Sequence, residues 1–524
     1  MRFPFSSVLW VSLSVGFNFV ANPPYDLAEI AYFSWVPWLL WHSRVKRSHR
    51  AIIGSAVILS LGHWLATLMW LRHVTVLGWF SVSILISIFW VTWLFFTAKW
   101  IQKWRQLQPW QRGLKFTLII SLYVSLEWFR NYLFTGFPWL PLAATQWKRP
   151  VVLQLAEFTG YWGVSAWLVF INLALFAYLS HIWDRAKGIL SQRFCISFYI
   201  ALLSLLFAMG VYVNRYYKVT HTEQSIGKVA VVQPYIPALL KWDPQHASST
   251  LSILSRQTAL ATYLQPTPDL ILWPEAATPH PAIGHSATKA WIEKIAHQYQ
   301  TPLLTGNIAN TDQGWYNTIL LIKPNTGIEP AFYAKRKRVP FGEYIPLRHW
   351  FPWLGKIVPF QDDFQTSTGV QNQYLSIQSV PYSVGGLICY EDIFPHLARE
   401  SVQQGADWFF VCTNNAWFGE EAGAFQHAAH SVLRAVETRR SIVRCGNGGW
   451  SGWIDALGKI RHEVVDNSGS IYFRGVDAFR ITHYQHWKDF STFYVQYGDW
   501  FPALNITLLA IYILIQNGRR IFSA

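Results

Sequence analysis

Gly385-Gly386-Leu387-Ile388-Cys389-Tyr390-Glu391-Asp392 reads as an apolar strand that delivers a thiol into a polar turn. Two other stretches stand out beside it. Leu270-Ile271-Leu272-Trp273-Pro274-Glu275 is an apolar run closed by proline and a carboxylate, and Tyr333-Ala334-Lys335-Arg336-Lys337-Arg338-Val339-Pro340-Phe341-Gly342-Glu343 sets several cations beside a turn and a second acid. In α/β folds ligands bind in crevices at the carboxyl ends of strands, so an acid, a cation and a thiol carried there point to one site. Singly, each has a plain explanation as a turn acid, a solvated basic loop or a core cysteine.

Together they define a chemistry. A thiol of pKa ~8.5 is only a few per cent thiolate near neutrality; a neighbouring ammonium lowers that value, and a carboxylate can take the proton. The lysine also stabilises the oxyanion of a tetrahedral acyl intermediate, aided by backbone N–H groups just after the cysteine. The expected product is a thioester. An incoming nucleophile, deprotonated by the same carboxylate, then accepts the acyl group.

Outward from these stretches, short apolar runs at 228–232, 270–273, 302–306, 318–322, 386–389, 408–413 and 442–445 alternate with helical patterns near 246–265, 287–300, 393–404 and 424–440. This texture predicts an α/β domain over about 221–490. Of the four cysteines, Cys195 falls in an apolar span, and Cys412 and Cys445 read either as one bridge or as two small buried strand residues. No CxxC or HExxH spacing appears and the histidines form no ligand set, so no metal or cofactor is expected.

The rest of the chain is of another kind. Of 524 residues, 52% are hydrophobic, 17% aromatic and 14% charged, which excludes disorder and points to lipid. The net charge of +15 divides unevenly: residues 1–220 carry 19 Lys+Arg against 5 Asp+Glu, whereas 221–499 carry 22 against 23. The excess lies in the apolar part, so nucleic acid is not the partner. Eight runs approach the ~20 residues that cross ~30 Å of hydrocarbon: 5–22, 26–42, 51–70, 75–98, 114–134, 161–183, 194–213 and 500–516. The first also resembles a secretory signal, but Pro23 and Pro24 directly after Val20-Ala21-Asn22 disfavour cleavage. Alternate loops hold fifteen basic residues, among them Arg44, Lys46, Arg47, Lys103 and Arg105, against Arg72, Lys148 and Arg149 on the opposite side. Lys and Arg are retained in the cytoplasm, which places both termini there and exports the block at 214–499. The expected organisation is a membrane domain with seven helices over 1–220, the exported domain, a last span at 499–517 and a cytoplasmic tail at 518–524. Glu127 and Arg130 share one helix face and read as a neutralised pair.

The order Glu275, Lys335, Cys389 in these contexts resembles the nitrilase, or carbon–nitrogen hydrolase, superfamily, whose members use a Glu-Lys-Cys triad on an αββα sandwich. Five further segments resemble a membrane branch of it, the apolipoprotein N-acyltransferase family: Glu127-Trp128 with Thr135-Gly136-Phe137-Pro138-Trp139-Leu140, Leu240-Lys241-Trp242-Asp243-Pro244, Val339-Pro340-Phe341-Gly342-Glu343, and Asn415-Ala416-Trp417-Phe418-Gly419. The resemblance runs over nearly the whole chain.

It implies a multi-pass enzyme of the bacterial inner membrane with its catalytic domain on the periplasmic side. Such an enzyme takes an acyl chain from a phospholipid, typically phosphatidylethanolamine, and passes it to the α-amine of the S-diacylglyceryl-cysteine that begins an apolipoprotein. Carried over by motif, Cys389 is the nucleophile, Glu275 the base and Lys335 the stabiliser of oxyanion and thiolate, with Lys337 as rival; Glu343 is an auxiliary carboxylate. Tyr390, Glu391 and Trp242 match positions tied to activity or substrate engagement. Two departures stand out: Asn414-Asn415 replaces the usual Asn-Asp, removing a charge expected near the substrate entrance, and Gly446-Asn447-Gly448-Gly449-Trp450 replaces the usual Asn-Asn-Gly pattern. A tethered amidase, with water resolving the thioester, is the alternative. Drawing an acyl chain into water costs ~0.8 kcal/mol per CH₂, so tethering to the bilayer fits a lipid donor. The aromatic stretches His349-Trp350-Phe351-Pro352-Trp353-Leu354 and Trp417-Phe418 read either as lids that dip into the interface or as core.

Overall fold

The computed structural model describes residues 5–188, 194–353, 363–367 and 369–522. The chain divides into two compact units, Met1–Arg215 with Tyr497–Ala524, and Tyr216–Gln496.

The second unit is built on two sheets. In the first, β1 (Glu223–Gln233), β2 (Leu270–Trp273) and β3 (Leu303–Thr311) run parallel, and β4 (Gly314–Lys323) turns back antiparallel on β3. The two-residue strands β5 (Gly327–Ile328) and β6 (Tyr333–Ala334) pair with β4. The second sheet contains β7 (Gln373–Ile377), β8 (Val380–Ile388), β9 (Trp408–Thr413), β10 (Ile442–Gly446), β11 (Gly452–Ile454) and β12 (Ile460–Glu463), with β8, β9 and β10 parallel. Finally β13 (Gly475–Tyr484) closes the first sheet antiparallel to β1.

Period-two side-chain alternation explains the layering. Along β1, Val229 and Val231 enter the core between the sheets with Leu272, Phe410 and Val443. Ala230 and Val232 face outward, onto Leu254 of helix α1 (Ala247–Thr262) and Ile292 of helix α2 (Ser286–Tyr299). Helices α3 (Pro395–Gln403) and α4 (Gly423–Thr438) cover the second sheet. Because both faces of the parallel strands are covered, their sequences are continuously apolar. This is the expected αββα sandwich. Cys412 and Cys445 are register partners on β9 and β10, both buried and both free thiols.

The other unit is helical. Among the described residues five helices are long and apolar enough to cross a membrane: His49–Thr67, Val76–Ile101, Tyr161–Ala186, Ile196–Thr222 and Trp500–Gly518. The three other expected spans take different forms. Val8–Val20 is apolar but short. The run at 26–42 breaks into the turn Ala28–Tyr32 and the nine-residue helix Val36–Arg44, about 14 Å long at ~1.5 Å per residue. Pro109–Tyr132 has the length, but Arg112, Lys115, Glu127 and Arg130 interrupt its apolar character. The polar ends of Glu127 and Arg130 serve a loop: Glu127 Oε1 accepts from the Leu142 N–H at 2.9 Å, and Arg130 donates to the Trp139 carbonyl at 2.9 Å.

Candidate active site

Pro274 cannot continue the β2 ladder, so the strand ends and Glu275 turns into the gap between the sheets. Gly306 on β3 makes room for it: a Cβ there would lie 2.6 Å from Glu275 Cα and 2.8 Å from Cys412 Sγ. Glu275 Oε1 accepts from Asn317 Nδ2 at 2.8 Å and lies 3.4 Å from Lys335 Nζ. Lys335 follows β6, whose pairing continues through the Lys335 N–H to the Asn317 carbonyl at 2.8 Å. Its side chain is 1% exposed, and Nζ donates to Glu343 Oε1 at 2.8 Å. Asn317 Nδ2 also donates to Glu343 Oε1, at 3.0 Å, while the Val339 N–H donates to Glu343 Oε2. Two carboxylates thus share one ammonium and one amide.

Cys389 stands one residue past β8 with a φ of 50°, a left-handed conformation that turns its thiol out of the strand direction. The thiol faces the Glu275 carboxylate and the Asn414 N–H. Burial raises the Cys389 pKa well above the ordinary thiol range, and the Glu275 charge raises it further; Lys335 and the Asn414 N–H oppose this without reversing it. Lys335 lowers the thiol pKa as expected, and burial and the adjoining carboxylate outweigh that one ammonium. Glu275 shows the opposite balance: burial raises its pKa, but Lys335, the Asn317 hydrogen bond and Lys241 bring it below the usual carboxylate value. Lys335 is pushed down by burial, but Glu343 and Glu275 hold it well above the usual lysine value. The resting arrangement is therefore a carboxylate, an ammonium and a protonated thiol, in which Glu275 takes the thiol proton as the sulfur attacks.

The other expected residues fall into distinct places. Lys337 lies apart from the carboxylates, its ammonium 4.8 Å from the Phe394 ring centroid. Tyr390 packs edge-on against Phe394 at 5.1 Å. Glu391, fully buried, accepts from Tyr333 Oη (2.7 Å) and from the N–H groups of Ile388 (2.8 Å), Arg336 (2.6 Å) and Lys337 (3.0 Å). It is a bracket tying the end of β8 to the lysine loop. Trp242 closes the short turn Leu240–Trp242, and its side chain lies outside the described residues. Trp350, Phe351 and Trp353 are exposed, which excludes core packing for them, and Trp417 is 37% exposed; Leu354 lies outside the described residues.

Behind the nucleophile is a second charged cluster that the sequence reading missed. His427 Nε2 lies 3.0 Å from the Cys389 carbonyl and 2.8 Å from Asp392 Oδ1. Asp392 also accepts from Ser431 Oγ at 2.7 Å and from Arg444. Asn415 is fully buried, with its amide 2.9 Å from His427 Nδ1; the expectation of a residue at the substrate entrance gives way to one in the mount of the nucleophile. The departing segment 446–450 interlocks with it: a Cβ on Gly449 would lie 2.6 Å from that of Asn415, and Asn447 Nδ2 donates to Asn414 Oδ1 at 2.9 Å. The available signal was polar residues on the buried face of the helix predicted at 424–440.

A strand-end acid, lysine and cysteine on facing sheets place this unit among the carbon–nitrogen hydrolases, and residues 228–477 match the family described by that name. Residues 14–174 match the apolipoprotein N-acyltransferase N-terminal domain. Among curated relatives, the apolipoprotein N-acyltransferase of Geobacter metallireducens is 32% identical over 67% of this chain and 66% of its own length. That of Allorhizobium ampelinum is 33% identical over 67% and 65%, and that of Chlorobaculum tepidum 27% identical over 99% and 97%. The alignments to the first and second of these thus span just under two thirds of those proteins. A solved amidase of the nitrilase superfamily from Nesterenkonia AN1 aligns with 18% identity and a TM-score of 0.38 over 52% of this chain and 94% of its own. The chain belongs to the apolipoprotein N-acyltransferase family, the acyltransferase branch whose membrane unit precedes a nitrilase-type domain.

Proposed function

We propose that this protein moves an acyl chain from a membrane phospholipid, with phosphatidylethanolamine as donor, to the amino terminus of a diacylated apolipoprotein. Cys389 Sγ attacks the ester carbonyl as Glu275 takes the thiol proton; the proton passes to the departing lysophospholipid oxygen, leaving a thioester. The α-amine of the acceptor then attacks that carbonyl, Glu275 receives its proton, and the thiol is restored as the amide forms. Lys335 stabilises the oxyanion in both halves, and Glu343 holds Lys335. Tyr390, Glu391 and Trp242 act as supporting or substrate-engaging residues. The supporting observation is the Glu275 carboxylate, 3.4 Å from the Lys335 ammonium and facing the Cys389 thiol.

The reading includes eight membrane passages, the three irregular helical segments joining the five long ones, and a catalytic unit on the periplasmic face of the bacterial inner membrane. The exposed Trp350, Phe351 and Trp353 suit contact with the lipid interface. Mass spectrometry of the purified protein after exposure to phospholipid should find an acyl adduct on Cys389, discharged by a diacylated lipopeptide to give N-acylated product. An adduct on Cys412 or Cys445 would overturn the assignment. Free fatty acid without N-acylated product would establish the amidase-like hydrolase instead.

A further inference from the structure

The fragment Leu240–Trp242 that follows β1 carries a lysine no role has yet absorbed. Lys241 is 1% exposed, and its Nζ donates to the backbone carbonyl of Glu275 at 2.7 Å. A buried ammonium needs compensation. The groups that face it are the Glu275 carboxylate and the thiols of Cys412 and Cys445, which burial keeps protonated. Glu275 is faced in turn by Lys335, Asn317 and the Cys389 thiol.

The charges of the site explain why a second cation belongs there. With Glu275 and Glu343 both ionised and Lys335 the ammonium in contact with both, that set carries a net charge of −1 inside the protein. A second carboxylate beside Glu275 works against its ionisation, and a base that already holds a proton cannot accept another. We infer that Lys241 is a positioning residue which supplies the second positive charge, keeping Glu275 ionised while fixing it through its own main-chain carbonyl. The inference rests on the acyl-transfer reading and deepens it. The same bond ties the Leu240-Lys241-Trp242 stretch to the main chain of the base. Burial lowers the Lys241 pKa to about 8, so the cation persists at neutral pH and is lost above that value.

The test is single-turnover acylation of Cys389 by phospholipid in mixed micelles, followed by mass spectrometry from acid to alkaline pH on the full-length protein. Removing a cation raises the pKa of a neighbouring carboxyl, so the acid limb of Lys241→Met should move up by about one pH unit, making acylation ~10-fold slower on the limb relative to its plateau. Its apparent KM for lipid should stay within about twofold of the wild type, because Lys241 acts through Glu275. Lys241→Arg, which keeps the charge, should leave the limb in place even at a reduced rate. A Lys241→Met limb that does not move, at a normal or a uniformly lowered rate, overturns the inference and leaves acyl transfer intact. If Lys241→Met lacks the wild-type melting transition, Lys241→Arg decides, and a displaced limb there overturns the inference. A wild-type protein that forms no adduct at any pH refutes the acyl-transfer reading itself.

Discussion

Cys389 stands between two charged clusters of similar composition and different character. On its thiol side, Glu275, Lys335 and Glu343 keep some slack: the acidic side chains are 10% and 12% exposed, and one contact stretches to 3.4 Å. On its carbonyl side, Asp392, His427 and Arg444 are all at 0% exposure, with the Asp392 carboxylate faced by His427, Arg444 and Ser431. Buried ion pairs are poor evidence of stability in themselves, yet breaking one strands its partner. The difference teaches that equal charges can do unlike work. Those with some solvent exposure can exchange protons with a substrate, whereas those sealed behind a strand end hold the strained Cys389 backbone in place.

The sharpest way to break this comparison is to damage each cluster and ask whether rate or stability suffers. Glu275→Gln keeps an oxygen for Asn317 and Lys335 but removes the base, so Cys389 acylation should fall about 10³-fold with the melting transition retained. Asp392→Ala should do the reverse. It leaves Arg444 and His427 beside an uncompensated void and should destabilise the catalytic unit by about 3–5 kcal/mol in denaturant titration. If it lost rate alone, the carbonyl-side cluster would be chemical and the contrast would fail.

The same contrast has a pH signature. Burial pushes the Asp392 carboxyl up, but His427 and Arg444 overcome this and hold it well below the usual carboxylate range. A folded-state pKa depressed in this way contributes stability that is fully present above the unfolded value of ~3.9 and drains away as pH falls toward the folded one. The catalytic unit should therefore lose thermal stability from about pH 4 downward, and Asp392→Asn should flatten that slope. A smaller effect is expected at the bracket. Tyr333→Phe removes one of four bonds to Glu391, so it should cost about 1–3 kcal/mol and slow acylation only a few-fold.

What the sequence disclosed follows the same division. Glu275 and Cys389 were legible because each follows a continuous apolar strand, a local signal, and Lys335 and Glu343 because several cations crowd beside one turn and an acid. Asn317 escaped because the apolar run on β4 begins after it, and His427 escaped because a helix residue acquires its meaning only from the strand end it meets. Asp392 directly follows Cys389-Tyr390-Glu391 in the sequence, yet nothing local separates a buried anion from a turn acid. The same holds for the fold: parallel strands buried on both faces were read directly, whereas β7, with alternate residues exposed, and β13, which carries Asp477, Arg480 and His483, were not. Among the helical segments, the loss of length at Val36–Arg44 was hidden because composition alone does not mark where a helix breaks.

The smallest effect sharpens the comparison within one loop. Lys335 and Lys337 are two residues apart, so on an extended segment both side chains point to the same face, and sequence alone left them rivals. The chain does not stay extended: after β6, the N–H groups of Arg336 and Lys337 both turn onto Glu391 Oε1, and Lys337 is carried away to the Phe394 ring. Lys337→Gln keeps that backbone bond and loses only a cation–π contact worth ~0.5–1 kcal/mol. Acylation of Cys389 should stay within about twofold of the wild type, with a melting shift of a degree or two. A tenfold or larger fall would transfer the oxyanion role from Lys335 to Lys337, and the bracket at Glu391 would then belong to the chemistry rather than to its support.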